Sequence, residues 1–147
     1  MNILITGVAG LMGSRLAEWI ISNTKNNVIG IDDLSGGYLE NIHKDVKFYR
    51  IDLINEIDKI EKVFKENNID IVYHLAAYAA EGLSPFIRRY NYQNNVISSI
   101  NLINFSIKYG INRFVFTSSM AVYGNQPNPP FTEDLLPSPI DPYGIAK

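Results

Sequence analysis

The stretch that decides the fold is Ile3-Leu4-Ile5-Thr6-Gly7-Val8-Ala9-Gly10-Leu11-Met12-Gly13. It begins as a short, wholly apolar run, which is typical of a buried parallel strand that ends in a turn. Beyond it, Met12, Leu16 and Ile20 recur every four residues, and this spacing predicts a helix with one apolar face from Leu11 to Ile21. The stretch therefore joins a predicted strand to a predicted helix through a turn that contains three glycines.

The three glycines of this turn have separate uses. Gly7 permits a tight turn out of the strand, Gly10 lets the backbone approach a diphosphate, and Gly13 lets the helix pack closely on the sheet. The first turn of the helix adds free N–H groups and a partial positive charge, which suit phosphate. Because a strand precedes it and a helix follows it, the turn is interpreted as a candidate dinucleotide-binding loop.

Apolar runs and helical patterns alternate along the rest of the chain. Strands are predicted at Val28–Ile31, Val46–Ile51, Ile69–Leu75 and Arg113–Thr117, helices around Ile57–Phe64 and from Phe86 to Tyr109 with Gly110 after its end, and an ordered surface loop at Pro127–Pro142. This alternation predicts a doubly wound α/β domain with a parallel sheet over residues 1–147. Ligands bind such sheets at the carboxyl ends of the strands, so the candidate site is expected there.

Length, composition and charge argue against several other classes. The chain has 147 residues, 46% of them apolar, which is enough for one core and too few for two domains. A net charge of −2 without a basic run argues against nucleic-acid or anionic-membrane binding, and no apolar run reaches a membrane-spanning length. With no cysteine and two isolated histidines, neither a disulfide framework nor a metal site is expected. The apolar N-terminal run has no basic leader, so the expected location is the cytoplasm.

Two aspartates follow predicted strands and are candidate ligands of an adenosine. Asp32 comes nineteen residues after Gly13, at a strand end, where a carboxylate accepts hydrogen bonds from both ribose hydroxyls. It would repel a 2′-phosphate, and no arginine stands beside it, so NAD is favoured over NADP. The alternative is that Asp32 and Asp33 cap a turn. Asp52 is similarly placed to accept a hydrogen bond from the adenine amino group, or else it caps the helical segment after Leu53.

Three later residues suggest proton chemistry. Ser119 follows the last predicted strand, and Tyr143 and Lys147 lie four residues apart, which places them on one face of a helix. An ammonium about 4 Å from a phenolate, at an effective dielectric near 20, stabilises it by on the order of 4 kcal/mol. That interaction lowers the pKa of a tyrosine from about 10 to about 7, where it can act as a general acid or base. Ser119 would hold the reacting oxygen, whereas a Tyr-x-x-x-Lys spacing on its own more often marks an exposed helical pair.

Six motifs follow one another over the entire chain. They are Thr6-Gly7-Val8-Ala9-Gly10-Leu11-Met12-Gly13, Asp32-Asp33-Leu34-Ser35-Gly36, His74-Leu75-Ala76-Ala77, Asn94-Asn95-Val96, Thr117-Ser118-Ser119 with Val122-Tyr123-Gly124, and Pro142-Tyr143-Gly144-Ile145-Ala146-Lys147. In these motifs and their order the chain resembles the extended short-chain dehydrogenase/reductase family, in its nucleotide-sugar epimerase/dehydratase branch. The resemblance implies a Rossmann-like domain that binds NAD.

The resemblance also implies cofactor contacts at individual positions. Leu11 and Met12 would present backbone to the diphosphate, and Asn95 would lie near the nicotinamide, unless its amide is simply satisfied within a buried helix. The segment Asp33–Gly37 would border the adenosine, and the segment Leu75–Ala79 would line the dinucleotide. The expected NAD contacts by residue are Gly7, Gly10, Gly13, Asp32, Asp33, Leu34, Ser35, Gly36, Asp52, Leu53, Leu75, Ala76, Ala77, Tyr143 and Lys147. Arg88 and Arg89 are expected to face solvent rather than a substrate phosphate.

The reaction that the resemblance implies is an epimerisation. Dehydratases of this branch have an Asp-Glu pair directly after the strand-end hydroxyl residue, whereas this chain has Met120 and Ala121, which cannot transfer a proton. Ser119, Tyr143 and Lys147 suit NAD-dependent epimerisation at C4 of a UDP-hexose, of the glucose/galactose type, through a 4-keto intermediate. A nucleotide-sugar reductase or dehydrogenase, or a non-catalytic NAD-binding domain, are the alternatives.

Members of this branch are longer than this chain, and their carboxyl-terminal half completes the sheet and forms the sugar-nucleotide site. The chain is therefore expected to be the amino-terminal portion of such an enzyme, without the substrate domain. These residues alone are expected to show little or no turnover, because the predicted catalytic helix is only a short stub at Lys147. The family also implies a homodimer of the full-length form, through the long helix at 86–109 and the helix that begins near Tyr143.

Overall fold

The computed structural model describes residues 1–127 and 129–147. Five strands are present in it: β1 (Asn2–Thr6), β2 (Asn27–Asp32), β3 (Lys47–Arg50), β4 (Ile71–His74) and β5 (Arg113–Phe116). The helices are α1 (Leu11–Asn23), α2 (Ile57–Asn67), α3 (Arg88–Tyr92), α4 (Ser98–Lys108) and α5 (Pro142–Ala146), with a π-helical segment at Gln93–Ile97 and 3₁₀ turns at Leu39–Asn41, Glu81–Leu83 and Met120–Tyr123. No helix in these described ranges is long and apolar enough to cross a bilayer.

The five strands form one parallel sheet in the order β3-β2-β1-β4-β5. The last residue of β1, Thr6, lies between Ile31 of β2 and His74 of β4. The chain builds the sheet first to one side of β1 and then to the other, so the direction reverses between β1 and β4. A crevice for ligands forms at such a reversal, at the carboxyl ends of the strands. The predicted doubly wound α/β fold is confirmed.

Apolar side chains alternate between the two faces of the sheet and fill a core on each. Leu4 of β1 belongs to a cluster that includes Val63 of α2 and Leu102 of α4. Its neighbours Ile3 and Ile5 belong to the other cluster, whose remaining members are Val8, Ala17, Ile20, Val28 and Val46, with Ala17 and Ile20 supplied by α1. Successive strand residues point to opposite faces, so this run of apolar residues buries itself on both sides.

Three strands are shorter than the sequence predicts, by one to three residues. The reason is visible where they end. Ile51, Leu75 and Thr117 each donate one further backbone hydrogen bond to the neighbouring strand, at 3.1, 3.3 and 3.2 Å, and regular pairing stops there. Regular pairing thus stops at the carboxyl ends of the strands, where the residues that follow Thr6, His74 and Arg50 line a cavity.

The helix expected from Phe86 to Tyr109 is wrong in two details. It begins at Arg88, and a π-helical segment separates α3 from α4. Two serine hydroxyls bond to this segment: Ser98 and Ser99 donate to the carbonyls of Asn94 and Asn95, at 2.5 and 2.6 Å. At the other end Gly110 adopts the left-handed conformation (φ 64°) expected of a residue that follows a helix.

The Pro-rich segment has neither helix nor strand between Pro129 and Asp141. Most of its residues are exposed. Ser138 contacts the rest of the domain, since its N–H donates to the Val122 carbonyl at 2.9 Å. The predicted surface loop is correct over this range, except that Pro142 is the first residue of α5. Position 128 lies outside the described residues.

Candidate functional site

A cavity of about 220 Å³ lies at the carboxyl ends of β1, β2, β3 and β4. Most of the predicted cofactor residues line it: Gly7, Gly10, Asp32, Asp33, Ser35, Gly36, Asp52, Leu53, Leu75, Ala76 and Ala77. The sheet therefore brings together four segments that are far apart in sequence. This is the edge at which the parallel-sheet argument expects a ligand.

The glycines of the first loop are required by close backbone contacts. Gly7 has a φ of 72°, and a Cβ built there would lie 2.8 Å from the Ala76 nitrogen. A Cβ on Gly13 would lie 2.1 Å from the Gly7 carbonyl oxygen, so α1 packs directly on the loop backbone. Gly10 is less constrained, since its added Cβ would meet only the Gly7 oxygen, at 3.3 Å. The glycine requirement is thus mainly steric at Gly7 and Gly13.

The N-terminus of α1 has no side-chain cap. Gly10 occupies the capping position, so it offers no side-chain acceptor, and the first turn holds no acidic residue. The next two residues, Leu11 and Met12, are largely exposed. The first N–H groups of a helix need partners, and here they are left available beside the cavity that Gly10 lines.

Asp32 ties the glycine loop to the segment after β2. Its carboxylate accepts hydrogen bonds from the Ala9 N–H at 3.0 Å and from the Leu34 N–H at 2.8 Å. Leu34 has a φ of 65°, an unusual value for a non-glycine residue, and the Asp32 bond helps to hold it. A carboxylate has about four acceptor sites, so two remain for a ligand in the cavity. Asp32 therefore caps a turn and also faces the site.

Asp52 stabilises a turn and lines the cavity, but the alternative prediction that it caps the following helix is wrong. Its carboxylate accepts from the Ile54 N–H at 2.7 Å and from Asn55 Nδ2 at 2.6 Å, which stabilises the turn after β3. It does not cap α2 itself, because the capping residue there is Glu56. Asp52 also lines the cavity, beside Leu53.

Five predicted cofactor residues outside the catalytic set are not among the lining residues of this cavity: Leu11, Met12, Gly13, Leu34 and Asn95. Gly13 and Leu34 do not line the cavity, but they affect the backbone conformation of the two loops that do. Asn95 is 2% exposed, and its amide is fully engaged with protein groups, as the second interpretation of this residue expects. Contact of these residues with a cofactor stays a prediction.

Sequence reasoning missed one wall of the cavity. Tyr90, Asn94 and Ser98 line it from the helical segment that leads into α4. The Tyr90 ring contacts the ring of Tyr78, which also lines the cavity, edge-on at 4.9 Å between centroids. The signal was present, because residues 90, 94 and 98 recur every four positions and therefore share one helix face. The remaining lining residues that were not predicted are Ile31, Ile51 and Ile54, whereas Gly37 and Tyr78 belong to predicted segments.

Ser119 and Tyr143 lie on two elements that pack together at the same end of the sheet. Ser119 follows β5 and caps the turn Met120–Tyr123, where its Oγ accepts from the Ala121 N–H at 3.2 Å. The helix α5 meets this turn so closely that a Cβ on Gly144 would lie 2.5 Å from the Ala121 carbonyl oxygen. Tyr143, the residue before Gly144, is buried. The Gly144 contact therefore determines how near α5 can come to the Ser119 turn.

Lys147 lies against the end of β5. Its Nζ is 4.8 Å from the centre of the Phe116 ring, and its carbonyl accepts a hydrogen bond from Ser118 Oγ at 2.9 Å. Burial lowers the pKa of the Lys147 ammonium. The direct approach of Ser119, Tyr143 and Lys147 to one another stays a prediction.

A buried histidine connects the glycine strand to the helical wall. Ser99 Oγ donates its only proton to the Asn95 carbonyl, so it can only accept from His74 Nε2, which lies 2.9 Å away. Nε2 therefore carries the ring proton, and Nδ1 accepts from Thr6 Oγ1 at 2.7 Å. Thr6 Oγ1 in turn accepts from the Ala76 N–H at 3.3 Å. Burial lowers the pKa of His74 to about 4, which keeps the ring in this neutral form.

Fold and cleft together define a Rossmann-like domain, with its ligand crevice at the point where the strand order reverses. The comparison with known families agrees with this class over almost the whole chain. The model of the NAD dependent epimerase/dehydratase family matches residues 3–147. The chain belongs to the NAD-dependent epimerase/dehydratase family, as the order of its motifs predicts.

Individual relatives are similar over the entire chain. The UDP-glucose 4-epimerase of Bacillus subtilis is 35% identical, with 100% of this chain and 45% of the relative covered. The crystal structure of the UDP-glucose 4-epimerase of Thermotoga maritima with UDP-glucose superposes with a TM-score of 0.95 at 38% identity, over 100% of this chain and 48% of that one. The enzyme of Thermus thermophilus in complex with NAD gives 0.94 at 32% identity, over 100% and 47%. The chain thus spans less than half the length of these relatives.

Proposed function

We propose that this chain is the amino-terminal, NAD-binding portion of an enzyme that epimerises C4 of a UDP-hexose, of the glucose/galactose type. The observation that carries the proposal is that the predicted cofactor residues and the elements with the predicted catalytic residues lie at the same edge of the sheet. The glycine loop and Asp32 line the cleft, and the elements that hold Ser119, Tyr143 and Lys147 pack together at the end of β5. The similarity to UDP-glucose 4-epimerases over the whole chain supports the same proposal.

The residues of the cleft fit an adenine dinucleotide. The uncapped first turn of α1 offers N–H groups to the diphosphate, and the absence of a Cβ at Gly10 leaves its backbone accessible. Asp32 keeps acceptor sites for the two ribose hydroxyls, and Asp52 keeps them for the adenine amino group. When bound, NAD supplies reversible hydride transfer, which a protein side chain cannot.

The side chains at the end of β5 would handle the proton. Tyr143 would remove the proton from the sugar 4-hydroxyl as the 4-keto sugar forms and return it afterwards, and Lys147 would supply a positive charge on the same face of α5. Ser119 would donate a hydrogen bond to the same sugar oxygen. Met120 and Ala121, which follow Ser119, carry no group that transfers a proton, so elimination of water is disfavoured.

The first experiment tests the cofactor. Isothermal titration of the purified protein with NAD should give saturable heat, and Asp32→Ala should weaken binding by at least about tenfold, since it removes two hydrogen bonds to the ribose. Lys25→Ala, on the surface away from the cleft, is the control and should bind as the parent does. Absence of binding to a folded parent protein would refute the proposal.

The second experiment tests the reaction in the polypeptide encoded by the complete reading frame around these residues. It should interconvert UDP-glucose and UDP-galactose without net change in NADH absorbance. Tyr143→Phe should lose turnover and keep bound NAD, because it removes only the proton-transferring oxygen. A net change in NADH absorbance during turnover would instead indicate a reductase or dehydrogenase, and indifference to Tyr143→Phe would indicate a non-catalytic NAD-binding domain.

The 147 residues alone should show little or no turnover. The proposed catalytic helix α5 has only five residues, and Lys147 follows its last one. A single helical turn is not stable in isolation and needs neighbours on its free side. Full activity of the purified 147-residue chain on a UDP-hexose would contradict this part of the proposal.

A homodimer of the full-length form is part of the proposal. Ile97, Ile100, Ile103 and Ile107 form a half-exposed to exposed apolar stripe along α4 and the segment before it. A second copy of the same stripe is a suitable cover, since helices pack through such ridges. Ile100→Asp should shift the sedimentation of the protein from dimer to monomer, whereas Leu39→Asp, on an exposed turn elsewhere, should not.

A cytoplasmic location of the enzyme also remains a prediction.

A further inference from the structure

Two buried asparagines link the cofactor cleft to the start of α5. Asn91 and Asn95 lie one turn apart in the helical wall, with 1% and 2% of their surface exposed. Asn95 Nδ2 donates to Asn91 Oδ1 at 2.9 Å, and Asn91 Nδ2 donates to the carbonyl of Pro142 at 2.9 Å. A buried amide without hydrogen-bond partners lowers the stability of the fold. In the observed arrangement of the helical wall, the cleft and α5, both amides have partners.

The orientation of both amides is determined by backbone groups, which have unambiguous roles. Asn95 Oδ1 accepts from the Tyr78 N–H at 2.9 Å, so Asn95 Nδ2 is the atom that faces the Tyr78 carbonyl at 3.1 Å. The same Nδ2 must meet an acceptor on Asn91, and this leaves Asn91 Nδ2 as the donor to Pro142. Tyr78 lines the cleft, so a single directed chain of hydrogen bonds runs from the cleft wall to α5.

The far end of this chain lies next to Tyr143. Pro142 is the first residue of α5 and Tyr143 is the second. The place of the first turn of α5 relative to the cleft depends on the groups that bond its first residues. The Asp141 carboxylate anchors it by accepting from the Gly144 N–H at 2.9 Å, and Asn91 anchors it from the side of the helical wall.

We propose that Asn91 is a positioning residue for Tyr143, which sets the place of the tyrosine relative to the cleft through the Pro142 carbonyl. The inference rests on the proposed function, in which Tyr143 moves the proton of the sugar hydroxyl. Proton and hydride transfer depend steeply on distance, and a misplacement of about 1 Å can lower a rate on the order of 100-fold. Asn91 itself touches neither cofactor nor substrate in this scheme.

The test compares Asn91→Ser with Asn23→Ser in the complete protein. Asn23 makes the same kind of bond, from Nδ2 to the Trp19 carbonyl at 2.9 Å, but on the exposed end of α1. Asn91→Ser should lower kcat for epimerisation on the order of 10- to 100-fold, with KM for the UDP-hexose and bound NAD within about threefold of the parent. The control should match the parent in all three quantities.

A second readout does not depend on turnover. The Ile145 N–H donates within α5 to the Asp141 carbonyl at 3.1 Å, so its hydrogen exchange reports how firmly α5 is held. Asn91→Ser should speed this exchange about tenfold or more and leave the exchange of β1 amides unchanged. Unchanged Ile145 exchange would overturn the inference, as would a loss of kcat that merely follows a loss of bound NAD.

Failure of the proposed function would be recognised separately, as a parent protein that binds NAD and does not epimerise. The exchange of Ile145 would then still decide whether Asn91 holds α5. If Asn91→Ser does not fold, Asn91→Leu preserves most of the side-chain volume and is measured in the same way. Failure of both variants to fold would overturn the inference, because Asn91 would then be needed by the fold rather than by the position of Tyr143.

Discussion

Acid should destabilise this protein in a pH range set by the buried His74. Burial, and to a smaller extent the Lys147 ammonium, lowers the pKa of this histidine from 6.5 to about 4. His74 is 1% exposed, and both ring nitrogens already have partners: Nε2–H donates to Ser99, and the unprotonated Nδ1 accepts from the Thr6 hydroxyl, a bond that only the neutral ring can make. A proton on Nδ1 would turn an acceptor into a donor and break the bond from the Thr6 hydroxyl.

The sign and size of the effect follow from the two pKa values. Above pH 6.5 the ring is neutral in both the folded and the unfolded chain, and the full stability is present. As the pH falls from 6.5 toward 4, the unfolded chain binds a proton at His74 that the folded protein does not, so the free energy of unfolding decreases. At about 1.36 kcal/mol per pKa unit, the loss approaches about 3 kcal/mol at pH 4 and is about 2 kcal/mol at pH 5.

Urea denaturation followed by circular dichroism at pH 7, 6 and 5 measures this loss. The control is His74→Asn, which is less stable at pH 7 but has no imidazole to protonate. Subtracting its pH dependence from that of the parent removes the contribution of every other titrating group. If the parent and His74→Asn lose the same free energy between pH 7 and pH 5, the reasoning about the buried neutral ring is refuted.

Two further predictions concern close backbone contacts. Gly13→Ala should cost about 1 to 3 kcal/mol of stability and weaken NAD binding at least about tenfold, because the new methyl would lie 2.1 Å from the Gly7 oxygen and push α1 off the loop; thermal denaturation and titration calorimetry measure both. Gly144→Ala should lower kcat on the order of 100-fold with NAD binding unchanged, because its methyl would lie 2.5 Å from the Ala121 oxygen and move the catalytic helix. Gly82→Ala, where an added methyl meets nothing within 4 Å, is the control for both, and equal behaviour of the three variants would contradict these predictions.

The fold could be predicted from sequence because its determinants are local. The run from Ile3 to Ile5 is apolar at every position, and the strand is buried on both faces. Gly7 and Gly13 follow at the spacing that close backbone contact with a helix requires, and the structure shows those contacts. Asp32 could be placed in the cleft because it ends a strand parallel to β1, and the carboxyl ends of neighbouring parallel strands lie at the same edge of the sheet.

The irregular helix could not be predicted in the same way. A periodic pattern from Phe86 to Tyr109 indicates a helix but is silent on whether a serine hydroxyl competes for a backbone carbonyl. Here Ser99 donates to the Asn95 carbonyl and contacts His74 of a distant strand, and neither bond can be read from the periodic pattern. The cavity wall at Tyr90 and Asn94 was missed for a related reason, since the pattern gives a helix face but not the element that this face meets.

The position of β1 in the sheet has a consequence for truncated forms of the protein. The first strand of the chain, Asn2–Thr6, is the middle strand of five and pairs with both β2 and β4. Loss of residues 2–6 would therefore remove the centre of the sheet and leave two half-sheets whose facing edges carry unpaired backbone N–H and C=O groups. Such edges pair readily with other chains, so deletion of β1 should produce insoluble material, whereas deletion of the outer strand β3 or β5 would only narrow the sheet.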